Sequence, residues 1–270
     1  MVSTNSTAFG QRVVNNMPID ISSPIGWEIS KASISNSTYW TLIGTNSDIN
    51  TVEEVVWEVG GLYVRPSTGR PLTLVLGSTK DTSTGDGAQK ILLTYLTSSY
   101  VQYTTEIETN GTAVVTSANN IFRVNNMYVT RAGSIHAADA AMSLKNASST
   151  DTYAYIGSSG TVDKSAVFTV PASKTLYVSQ NTYSAGSADV AKKCFVKFSL
   201  HSNLDTERTT DGGIFYPLSE IGVTDGVWTG AYSLPIRVAE KTDFHICAQG
   251  SAGNAGAVCS VQLRGWLEDN

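Results

Sequence analysis

Glu106 and Glu108 stand two apart in the run Tyr-Thr-Thr-Glu-Ile-Glu, so both carboxylates fall on one face of a strand. A glycosidase draws its acid and its nucleophile from such a pair. Charges on an exposed strand more commonly guard an edge against unwanted pairing, and that is the better account here. His136, His201 and His245 lie far apart, and none has a ligating partner at helical or hairpin spacing. A metal centre could therefore arise only through tertiary folding. His245 alternates with Phe244 and Ile246, which puts it on the outer face of a strand. Cys194, Cys247 and Cys259 are odd in number and widely spaced, neither a disulfide framework nor a zinc motif. They read as buried thiols acting as small hydrophobes.

Weaker signals are outweighed by ordinary turns. Gly85-Asp86-Gly87 lacks the Lys-Ser/Thr ending and the following helix of a phosphate loop. Asp81, Ser83 and Asp86 lack the ordered acidic positions and closing Glu of a calcium loop. Gly157-Ser158-Ser159-Gly160 is not a hydrolase elbow. Asn5, Asn36, Asn110 and Asn146 open N-x-Ser/Thr triplets, which a chain this rich in Ser and Thr produces by chance. Trp27, Trp40, Trp57, Trp228 and Trp266 are scattered beside apolar residues, as packing requires. Trp228, in the run Asp-Gly-Val-Trp-Thr-Gly, is the candidate for a sugar platform. No residue is thereby assigned a catalytic, cofactor-binding or metal-ligating role. The expectation is a protein that is not an enzyme and uses no cofactor.

The elements around these residues read as strands. Only 15% of the 270 residues are charged, and Ser, Thr, Asn, Gly, Val, Ile and Tyr take their place. Such residues favour strands and tight turns. Tyr100 to Glu108 alternates cleanly and ends at Asn110-Gly111, the preferred two-residue hairpin turn, with a return strand over 113–116. Further strands are expected at 39–43, 52–59, 72–76, 91–96, 121–130, 166–170, 175–179, 194–200 and 258–267. Pro235 within the alternating Leu234, Ile236 and Val238 marks an edge strand. Phe244, Ile246 and Ala248 form the next alternating set. Only 134–144 is Ala-rich enough to read as a helix. The expected fold is all-β: two β-sandwiches of jelly-roll-like form, over 21–155 and 156–270, behind an extended N-terminal arm over 1–20.

A net charge of −5 without a Lys/Arg run argues against nucleic acid as a partner. No apolar stretch reaches the ~20 residues of a membrane helix, so no membrane partner is expected. The first residues lack the plan of a secretion signal, which suggests assembly in a host cytoplasm. A polar but weakly charged surface costs little to cover, which suits a surface that becomes interface.

Three stretches carry a resemblance: GDGAQ at 85–89, KILLTYLTSSYVQYTTEIETNGTAVV at 90–115 and NNIFRVNNMYVTRAGS at 119–134. Together they resemble virion structural proteins of tailed phages, those of marine and cyanobacterial phages in particular. The carriers are the NGT turn within 106–112 and the V-N-x-M-Y-V strand at 124–129. AVFTVPASKTLYV at 166–178 is similar to a hairpin of phage head and tail proteins, with Ser173 where Gly is usual. The similarity spans about residues 57–180. It implies a virion protein, capsid or cement (decoration), whose partners are copies of itself, as a trimer, and other virion proteins. A tail or fibre protein binding a host-surface glycan is the alternative.

Overall fold

A computed structural model of the chain describes residues 13–14, 17–18, 25–117, 120–148, 150–187, 194–202, 216–251 and 256–270. Apart from one helix of less than two turns, α1 (Ile25–Ser30), the regular elements among the described residues are strands paired antiparallel. The all-β expectation holds, and the strands stack as two sandwiches.

The larger sandwich faces two sheets across one apolar layer. Its first sheet has the order β16 (Gly226–Val238), β13 (Lys174–Ser187), β18 (Ala257–Asp269) and β3 (Ser37–Ile49). Its second has the order β12 (Val167–Thr169), β17 (Asp243–Gly250), β14 (Phe195–Ser202) and β15 (Tyr216–Thr224), with β4 (Glu54–Val55) added to β17. Period-two alternation builds the layer between them. Trp40 and Leu42 from β3, and Val261 and Leu263 from β18, meet Phe198 and Leu200 from β14 and Phe244 and Ile246 from β17. The Trp40, Phe168 and Phe244 rings touch, with centroids 5.2 to 5.7 Å apart.

The smaller sandwich packs β11 (Thr152–Ile156), β10 (Met142–Lys145), β5 (Thr73–Leu76) and β8 (Val115–Thr116) against β7 (Gln102–Glu108), β6 (Ala88–Leu96) and β9 (Arg123–Ala132). Leu74, Leu93, Met127, Met142, Leu144 and Ile156 fill its centre.

This layout changes the expected division of the chain. Residues 37–56 do not belong with the 72–156 sandwich. β3 runs antiparallel to β18 from Ser37↔Glu268 to Ile49↔Ala257 and buries its apolar face with the C-terminal strands. The smaller sandwich is thus inserted between β3 and β4 of the larger one and the rest of its strands. β1 (Val13–Val14) and β2 (Met17–Pro18) form a two-residue ladder, and the remainder of the expected 1–20 arm lies outside the described residues.

Local expectations fail where long-range contacts intervene. Asn110-Gly111 does not turn a hairpin: β7 pairs with β6, whereas β8 pairs with β5 in the facing sheet. Only Gly111 takes positive φ, and Asn110 bridges to Thr82. Residues 134–141 are turns leading into β10 rather than a helix. Asp139 and Ala140 there give their N–H groups to the buried Asp81 carboxylate. Of 52–59 only Glu54–Val55 is strand, with Val52 exposed. Residues 171–173 carry the chain between sheets instead of closing a hairpin, since β12 pairs with β17 and β13 with β16 and β18. Ser173 adopts φ +62°, the conformation that Gly occupies without strain.

Gly87 is required for a different reason: a Cβ there would stand 2.2 Å from Asp81 Oδ1 and 3.1 Å from Asp139 Cβ. That carboxylate also accepts the Ala88 N–H at 2.8 Å. We therefore expect Gly87→Ala to lower unfolding free energy by about 1–3 kcal/mol, the usual cost of overpacking. Urea denaturation of the two proteins checks this, and equal midpoints would contradict it.

Candidate functional site

The residues with chemical potential do not converge where the sequence placed its candidates. Glu106 and Glu108 flank Lys90 Nζ at 3.4 and 3.6 Å on the exposed side of edge strand β7. They form a solvated ion cluster with no cleft between them. Val101 and Tyr103, on the apolar side of that alternation, are exposed, and the side is buried only at Ile107. Asp81 is fully buried and satisfied by backbone donors, while Asp86 accepts from Ser134 Oγ at 2.9 Å. Neither loop reading gains support from these partners. Asn146 is buried, its amide donating to Thr150 Oγ1 and Asp151 Oδ2. Trp40, Trp57 and Trp266 are buried, as packing required.

The densest polar cluster lies at the junction of the sandwiches. Asp243, 1% exposed on β17, accepts from Arg123 Nε at 3.1 and 3.2 Å and from Thr169 Oγ1 at 2.5 Å. Arg65 Nε faces its other oxygen at 3.3 Å. Arg123 comes from β9 of the smaller sandwich. Its Nη1 donates to the carbonyls of Pro66 and Phe122, and its guanidinium stacks on the Phe122 ring at 3.8 Å. Asn125 adds a paired contact, donating to Thr169 O at 2.8 Å and accepting Thr169 N–H at 2.9 Å.

Beside this cluster the second sheet of the larger sandwich brings its histidines together. His201 and His245 are direct register partners on β14 and β17, their rings 5.6 Å apart. Cys247 follows His245 on the same face. One ring nitrogen of each histidine and the Cys247 sulfur all lie within 4.8 Å of one another. Sequence reading put His245 on an outer face. It is outside the apolar layer, but the segment carrying Val55, Trp57 and Tyr63 covers that face and Cys247 packs with it. Arg65 Nη2 lies 3.2 Å from His245 Nδ1. Burial, with the Arg65 charge and His201 behind it, holds His245 well below the usual imidazole range. Burial pushes the Cys247 thiol up to about 12, with Glu53 adding to the effect. The His-x-Cys spacing was the available signal for the shared face. The third member sits 44 residues earlier and could not be read from spacing.

A separate groove of about 660 Å³ runs over the outer face of the β16–β13–β18–β3 sheet under α1. Trp27, Tyr39, Tyr232 and Trp266 line it with Gln180 and Arg264. Trp27 is 59% exposed and Tyr39 49%. Trp228 lies outside this groove, stacked against Tyr183 at 6.0 Å on edge strand β16. The same edge exposes Val227 and Leu234, the latter by 83%. Pro235 does mark an edge strand, as expected.

No protein-family model matches the chain, and the search of curated proteins found no match. Among solved structures, a chain described as "Structure of infectious bursal disease virus Gt strain" aligns with 86% of this chain and 72% of that one, at 12% identity and a TM-score of 0.22. A superposition that loose bears on neither fold nor role.

The junction yields a direct prediction. Asp243→Asn keeps an acceptor for Thr169 but leaves two buried guanidinium groups without their counter-charge. Removing one partner of such a cluster costs about 3–5 kcal/mol. Guanidinium chloride unfolding followed by tryptophan fluorescence should show a loss of that size, and a loss under ~1 kcal/mol would place the cluster among weak surface pairs.

Proposed function

We propose that this chain is a non-catalytic structural subunit of a virus particle, a capsid or cement protein that works by covering its own surface with neighbours. The observation that carries the reading is the set of exposed apolar side chains on one sheet, along its outward face and its β16 edge. Tyr39 and Ile43 on β3, Val258 on β18, and Val227, Trp228 and Leu234 on β16 are all 39–83% exposed. Both edge strands of that sheet are 13 residues long. Long edges with apolar side chains are templates for association, which a protein living alone blunts with charge. Here few charges interrupt them. The resemblance of residues 57–180 to phage virion proteins supplies the setting, with copies of this chain, as a trimer, and other virion proteins as the partners. Assembly in the host cytoplasm follows from the same reading.

The aromatic groove favours one alternative, a tail or fibre protein that binds a host-surface glycan. Exposed Trp and Tyr rings stack on the apolar faces of sugars, while Gln180 and Arg264 can hydrogen-bond hydroxyls. A glycan array separates the two: binding abolished by Trp27→Ala supports the alternative.

The assembly reading predicts that Val227→Asp with Leu234→Asp leaves the circular dichroism spectrum and melting temperature unchanged, because neither side chain is buried. Self-association in sedimentation velocity and incorporation into particles should each fall at least tenfold. Wild-type association by the double variant would overturn the reading.

A further inference from the structure

We propose that His201, His245 and Cys247, joined by Glu53, form a binding site for one tetrahedrally coordinated transition-metal cation of the zinc class. The backbone ladder fixes the three principal donors. His245 and Cys247 alternate on β17, and His201 is paired directly across from His245 on β14. Their ligand atoms already lie within 4.8 Å of one another. Zinc bonds of roughly 2.0–2.1 Å to nitrogen and 2.3 Å to sulfur put tetrahedral donors about 3.5 Å apart. Closing the triangle asks for roughly 1 Å of side-chain movement on that scale and no change in the strands. Glu53 Oε1 stands 3.9 Å from His201 Nε2, close to the spacing a fourth ligand needs.

The donor chemistry selects the ion. Two imidazoles and a thiolate favour zinc-like or copper-like cations, whereas magnesium and calcium require oxygen. On binding, Cys247 loses its thiol proton to solvent. The resulting thiolate and the Glu53 carboxylate together balance a divalent charge. Val55, Trp57 and Tyr63 shield the sulfur side. The Glu53 carboxylate is about one-third exposed and opens a path for entry. Arg65 is the competitor, since its Nη2 lies 3.2 Å from His245 Nδ1. A bound ion displaces that contact, and Arg65 keeps Asp243 at 3.3 Å and the Phe244 carbonyl at 3.4 Å. A loaded site would pin the covering segment around β4 to the sheet beneath it, independently of how the particle assembles.

The test uses the full chain, stripped with a chelator under reducing conditions and titrated with Co²⁺. One equivalent should produce the strong visible bands of tetrahedral cobalt and a near-ultraviolet thiolate-to-cobalt band, both bleached by Zn²⁺ and unaffected by Mg²⁺. Cys247→Ser should remove the thiolate band, and His201→Gln should weaken binding at least tenfold. Cys259→Ser, in the main apolar layer, should alter neither. Should a ligand variant fail to fold, the wild-type spectrum still decides. A spectrum without the thiolate band, one of octahedral cobalt, or one unchanged in folded Cys247→Ser would overturn the proposal.

Discussion

A single carboxylate, Asp243, ties the two sandwiches together. It is nearly inaccessible to solvent and sits between the guanidinium groups of Arg65 and Arg123. Placing an ion in an apolar interior costs several kcal/mol unless its counter-ions and hydrogen bonds are in place. This site supplies them from β9, β12 and the segment before β5. The cluster therefore fixes where the smaller sandwich docks, as apolar contact alone cannot, because ion pairs are directional and intolerant of slippage. It also dictates the state of its neighbour. Burial, reinforced by the Arg65 charge, holds the His245 imidazole well below its usual range, and the covering segment packs over the face of β17 that carries Cys247.

The molecule's outer surface follows the opposite logic. At the junction, polar groups are satisfied by one another; outside, large apolar side chains on β3, β16 and β18 are exposed. Because the surrounding surface is made of hydroxyls and amides more than charges, covering it forfeits little solvation. Affinity can then accumulate from apolar area at about 25 cal/mol per Å² and from backbone groups along the two long edges. The aromatic groove lies on this same face, so one surface would serve either an apposed subunit or a sugar.

Much of the larger sandwich was legible because its strands alternate strictly. Val196, Phe198 and Leu200, Phe244, Ile246 and Ala248, and Val261 and Leu263 each bury the face that the sequence pattern marks. Pro235 identified an edge because it cannot donate to a ladder. What could not be read depends on contacts between distant residues. β3 belongs to the C-terminal sandwich because of its match to β18, more than 200 residues away. Asn110-Gly111 has hairpin chemistry, yet the chain leaves for the opposite sheet. The Ala-rich 134–141 stretch is held in turns by the Asp81 carboxylate. The candidate site shows the same division: His245 and Cys247 share a face by simple alternation, whereas His201 and Glu53 reach them only through sheet pairing and the covering segment.

On the assembly reading, partner subunits hide the outward face and the β16 edge of the β16–β13–β18–β3 sheet. Hydroxyl-radical labelling of the free chain and of the assembled particle, read by mass spectrometry at Tyr39, Trp228 and Leu234, tests it most directly. All three residues should be labelled in the free chain and protected at least tenfold in the particle. Equal labelling in both would contradict it.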